Sequence, residues 1–75
     1  MRQDEALMAV DAEVTRARTK HPTPMRSGHE GYAILLEEVE ELWDLVRQQK
    51  PSVEELQKEA KHVAAMAVRF MVELT

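Results

Sequence analysis

Apolar residues recur along this chain at intervals of three and four, the period of one face of an α-helix, and no stretch shows the alternation of a half-buried strand. Breakers divide the pattern into three. Both glycines and two of the three prolines fall in "HPTPMRSGHEG", residues 21–31, and the third proline is Pro51. The first segment, about residues 4–18, carries Leu7, Val10, Val14 and Ala17 as one narrow apolar stripe. A polar loop over 19–27 follows. "SGHE", Ser27 to Glu30, has the spacing of a capping box and opens a second helix at about residue 28. That helix is expected to run to about residue 49, because Lys50 precedes Pro51 and is pushed out of helical backbone space. "SVEE", Ser52 to Glu55, is a second capping box and opens a third helix over about 52–74. A very short turn then makes helices two and three antiparallel neighbours. The expected fold class is all-α: an antiparallel bundle of three main helices in one domain, residues 1–75.

Phasing each helix at about 100° per residue separates core from surface. In helix two, Ile34, Leu35, Leu36, Val39, Leu42, Trp43, Leu45 and Val46 fill an arc of roughly 200°. Glu40, Asp44 and Arg47 fall outside it. Glu38 falls inside, between Leu45 and Leu42, with Glu41 at the edge and Glu37 just beyond. In helix three, Leu56, Ala60, Val63, Ala67, Phe70, Met71 and Leu74 form the apolar sector. Glu59 lies within that sector and His62 on its rim, while Lys58 and Lys61 point elsewhere. Folding the hairpin at Lys50–Pro51 sets Glu41 level with Glu59 and Glu38 level with His62. Three carboxylates and an imidazole then converge from neighbouring helices. Carboxylates so close repel and raise each other's pKa values, and a divalent cation reverses that by holding them ionised. Oxygen-rich sites suit Mg2+ or Mn2+, and inward carboxylates on facing helices are one way bundles build a metal site. The plainer alternative is that Glu38 and Glu41 pair with Lys58, Lys61 or Arg69 across the hairpin.

Other chemistry-bearing residues are sparser. Glu55 reads as the capping-box glutamate. His29 sits at the positive end of helix two, where a phosphate could dock, and Arg69 follows His62 by seven residues and could reach one. The alternatives are an exposed histidine and a solvated arginine.

Composition narrows the classes. A chain of 75 residues makes one domain with a modest core, the size at which a metal or a partner chain is often needed. Trp43, Leu36 and Val39 extend the apolar arc past what one neighbouring helix can cover. Helix one, a partner chain, or some of each is expected to cover them. There is no cysteine, no apolar run of the roughly 18 residues that cross a bilayer, and no signal-peptide core in "MRQDEALMAV". The expectation is a cytoplasmic protein with no membrane partner. A net charge of -4 and a pI near 5.3 argue against duplex nucleic acid.

"EEVEE", Glu37 to Glu41, matches the E-E-x-x-E motif of the MazG-like all-α nucleoside triphosphate pyrophosphohydrolases. "HEGYAILLEEVEELWDLV" followed by "EAKHVAAMAVRF" resembles a small, often phage- or prophage-encoded branch of that family, over roughly residues 10–72. The family's second motif, E-x-x-D, reads Glu59, Ala60, Lys61, His62, so histidine stands in place of aspartate and brings no negative charge. The resemblance implies an enzyme that cleaves a nucleoside triphosphate between the α and β phosphates, giving a monophosphate and pyrophosphate. It implies Mg2+ (or Mn2+) held by Glu38, Glu41, Glu59 and His62, with Glu37 either supporting those ligands from behind or orienting the water as a base, so that Glu37 and Glu38 carry the catalysis. It also implies assembly as a homodimer or homotetramer. A second class stands beside it: a non-catalytic helical interaction module that keeps the fold.

Overall fold

The computed structural model describes residues 1–74. It is all-helical, with α1 over Gln3–Lys20, α2 over Gly28–Val46 and α3 over Val53–Glu73, and no strand among the described residues. Both serines cap their helices, and Glu30 accepts from the Arg26 N–H rather than from that of Ser27. The Ser27 hydroxyl accepts from the Glu30 backbone N–H at 3.1 Å, and the Ser52 hydroxyl accepts from the Glu55 N–H at 3.2 Å. Each thus satisfies one of the free donors at a helix start.

The layout is a central helix with one neighbour on each side. α3 packs against both α1 and α2, which do not pack against each other. The molecule is accordingly flattened, 37 × 25 × 19 Å. Its core is small: Val14 and Ala17 from α1, Met25 from the loop, and Ala65 and Met66 from α3. Val10, Ile34, Leu35, Val68, Phe70 and Leu74 pack around it half-buried. α2 runs antiparallel to α3, with Gly31 against Phe70 and Leu74, and Glu38 against Glu59 and His62. A Cβ at Gly31 would sit 2.7 Å from Phe70 Cδ2 and 3.0 Å from Leu74 Cδ1. The bare backbone there lets the start of α2 close onto the end of α3.

Arg69 has a structural task that its sequence position does not advertise. Only 5% exposed, it forks onto Glu73 through Nε and Nη2, at 2.6 and 3.2 Å. Nη2 also donates to the carbonyls of His21 and Thr23, at 3.1 and 3.3 Å. Glu73 in turn accepts from the Met25 N–H at 2.9 Å. One buried ion pair therefore pins the proline-rich loop to α3 and seats Met25 in the core.

Three expectations change. α2 ends at Val46 rather than near residue 49. Past Val46 come Arg47, Gln48, Gln49 and Lys50, all exposed, with no apolar side chain to hold another turn against α3. The connection to α3 is thus longer than a very short turn. Leu7 is 61% exposed, because the apolar contacts of α1 with the core come from Val10, Val14 and Ala17. Helix one does not cover the outer face of α2 either. Leu36, Val39 and Trp43 remain exposed, since α1 packs on the far side of α3. No described helix is long and apolar enough to cross a membrane.

Candidate metal centre

Because α1 and α2 do not meet, a groove of about 470 Å³ lies between them, with α3 at its base. Glu13 and Arg16 line it from α1, Glu37, Glu38 and Glu41 from α2, and His62 from α3. Glu38 and His62 of this lining, together with Glu59, each offer one ligand atom within 4.8 Å of the others. His62 Nδ1 is 3.4 Å from Glu59 Oε2 and 3.8 Å from Glu38 Oε2. Glu59 and His62 lie one turn apart on α3, which puts both on one face. The antiparallel packing of α2 supplies Glu38 from across the interface.

The electrostatics of the cluster are unbalanced. Among the described residues, no lysine or arginine nitrogen lies within ion-pair distance of Glu38, Glu41 or Glu59, and Arg69 is committed to Glu73. The plainer pairing with Lys58 or Lys61 is therefore not made. Glu38 Oε2 and Glu59 Oε2 are both shut away from solvent without a hydrogen-bond partner. Buried carboxylate oxygens are rarely left so, and an ion is one of the few groups that satisfies two at once. Burial pushes the Glu38 carboxyl above its ordinary range, the charge and hydrogen bonding of the neighbouring Glu41 add to this, His62 opposes it, and Glu59 contributes least, in the raising direction.

The donor set fits a small divalent cation. With metal–ligand bonds of about 2.1 Å, neighbouring ligand atoms stand roughly 3.0–3.4 Å apart in octahedral or tetrahedral sites. The two distances to His62 Nδ1, 3.4 and 3.8 Å, need only a slight contraction, and the two carboxylate ligand atoms lie within 4.8 Å of each other. One imidazole with two carboxylates is a mixed set, harder than a zinc-finger site and softer than an all-oxygen cage.

The remaining candidates divide. Glu41 is exposed and stands outside the triad, yet lines the same groove beside Glu38. Glu37 is likewise exposed and lines the groove. Arg69 lines it too, but its Nε and Nη2 are held by Glu73 and the loop carbonyls. His29 is exposed on the first turn of α2 and does not line the groove.

Glu13 is a participant that the motifs do not name. Its side chain is only 6% exposed, and Arg16 forks onto both oxygens at 2.9 and 2.6 Å. That guanidinium holds the Glu13 carboxyl below its ordinary range, against the opposing effect of burial. A signal for it exists in the sequence: Val10, Glu13 and Ala17 have the same three-then-four spacing that sets Glu38 among leucines. Compared with protein-family models, curated proteins and solved structures, the chain gives no match.

The raised Glu38 pKa fixes the sign of a stability change. A carboxyl whose folded pKa exceeds its unfolded value favours folding when protonated and opposes it when ionised. Glu38→Gln is therefore expected to raise the melting temperature of the metal-free protein at pH 7, by on the order of a few degrees. The gain should shrink as the pH falls through the carboxylate range. Thermal denaturation of both forms from pH 7 to pH 3.5 checks this, and a lower melting temperature for the variant at pH 7 would show Glu38 to be a stabilising ion-pair partner.

Proposed function

We propose that the groove is the active site of a metal-dependent nucleoside triphosphate pyrophosphohydrolase of the MazG-like, all-α kind. One observation carries the reading: two buried carboxylate oxygens without a hydrogen-bond partner, on Glu38 and Glu59, gather round the His62 imidazole, and Glu38 and His62 line an open groove. The motif resemblance of Glu37 to Glu41 and of Glu59 to His62 points the same way. Glu38, Glu59 and His62 hold the ion, with Glu41 near enough to Glu38 to join them. Mg2+ or Mn2+ is the expected ion, and the imidazole nitrogen favours Mn2+ of the two. When bound, the ion neutralises phosphate charge and makes the attacking water more acidic.

The chain's own residues then have separable tasks. A water oxygen attacks the α-phosphorus and the bond to the bridging oxygen breaks, so pyrophosphate leaves with the electron pair. Glu37, exposed on the groove wall, takes the proton released by the water. Lys20 lines the α1 wall and sets positive charge against the outer phosphates. Incubating the protein with Mn2+ or Mg2+ and a panel of ribo- and deoxynucleoside triphosphates is expected to release pyrophosphate, and Glu38→Gln to reduce the rate at least 100-fold. Folded protein that releases none from any nucleotide, with both ions tried, contradicts the reading and favours the non-catalytic module.

The outer face of α2 supports a homo-oligomer as the working form. Tyr32, Leu36, Val39, Trp43 and Val46 are all exposed and repeat at four, three, four and three residues, the spacing of a coiled-coil seam. The molecule exposes 5628 Å². A compact monomer of this mass exposes about 4,700 Å². The excess is similar to the ~800 Å² that each partner buries in a standard interface. Trp43→Asp is expected to halve the mass seen by light scattering after gel filtration at micromolar concentrations. A wild-type protein that elutes as a monomer at those concentrations contradicts this part of the proposal.

A further inference from the structure

His62 lies between two sets of carboxylates, and its two nitrogens face different ones. Nδ1 looks into the cluster, 3.4 Å from Glu59 and 3.8 Å from Glu38, whereas Nε2 looks back towards α1, 3.6 Å from Glu13 Oε2. Glu13 is not itself placed to join the cluster. Its two oxygens are locked by the Arg16 fork, its side chain is buried, and it lies on the opposite side of the ring from Glu38 and Glu59. A neutral imidazole that ligates through one nitrogen must carry its proton on the other, and the partner of that proton fixes both tautomer and ring orientation.

We propose that Glu13 is a positioning residue that holds His62 in the Nε2–H tautomer and presents Nδ1 as a metal ligand, with Arg16 keeping the Glu13 carboxylate aimed at the ring. This rests on the reading of the triad as a metal centre. At 3.6 Å the approach is longer than a hydrogen bond, and it closes when ligation at Nδ1 leaves the only ring proton on Nε2. The arrangement also gives a physical sense to histidine at this position. An aspartate at residue 62 would set a fourth carboxylate beside Glu13, Glu38 and Glu59, whereas an imidazole accepts support from Glu13 on one side and shares the ion with the others. It further assigns α1 to the site, although the motif residues all lie on α2 and α3.

Three measurements separate this from a purely structural ion pair. In the wild-type protein, the 15N shifts of His62 on titration with Zn2+, a diamagnetic probe, should show ligation at Nδ1 and a proton on Nε2. By calorimetry, Glu13→Gln should weaken Mn2+ binding about 10-fold with the helical circular dichroism unchanged. In a His62→Asp background the same Glu13→Gln change should no longer weaken Mn2+ binding, and should strengthen it, because Glu13 then only repels. Ligation through Nε2, equal Mn2+ affinity in wild type and Glu13→Gln, or equal losses in both backgrounds each overturns the role assigned to Glu13 while the metal centre stands. A wild-type protein that binds neither ion overturns both.

Discussion

Glu38 and Glu59, two carboxylates on adjacent helices, each bury an oxygen that has no hydrogen-bond partner, with His62 Nδ1 at 3.8 and 3.4 Å from the two. Such an arrangement opposes folding at neutral pH unless something positive occupies the space between them. The rest of the molecule is organised so that it persists. α3 is gripped from both sides, so the groove cannot be closed by α1 and α2 meeting over it. Gly31 draws the start of α2 onto Phe70, which sets the depth at which Glu38, two turns on, arrives beside Glu59 and His62. Arg69 and Glu73 hold the loop that brings α1 back along α3, and with it Glu13. A core of five buried apolar side chains supports all this, and a domain so thinly filled gains substantially from a bound ion or a second chain.

Much of this was legible in the sequence, for identifiable reasons. The helices declare themselves because Ser27 and Ser52 stand three residues before glutamates and because apolar residues keep a helical period. Glu38 and Glu59 declare themselves because a charged residue inside an apolar sector needs a partner, and the pattern leaves an ion pair or a metal as the choices. The hairpin register brought Glu38 opposite His62, and the structure places Glu38 against both His62 and Glu59. The end of α2 was less legible: Pro51 bars helix at Lys50 but does not require helix up to it, and the polar run from Arg47 has nothing to pack against.

What sequence reading missed lies in tertiary choices. Leu7 and Val10 are equally apolar, and only the crossing of α1 over α3 selects which is covered. Arg69 has the spacing of a phosphate contact, yet its guanidinium is spent on two loop carbonyls and Glu73, a pairing that requires the loop conformation. Glu13 carries the same phasing signal as Glu38, on a helix without a motif. The outer stripe of α2 is the reverse case. Its period is plain in the sequence, and the structure adds that nothing in the described chain covers it.

The central claim is that the Glu38–Glu59–His62 cluster exists to hold a divalent cation, and stoichiometry at that cluster tests it most directly. Isothermal titration of the purified, metal-free protein with Mn2+ should give saturable binding of at least one ion per chain, and Glu59→Gln should abolish that site while the circular dichroism stays helical. Absence of saturable binding to the folded wild-type protein, or binding unchanged by Glu59→Gln, would contradict it.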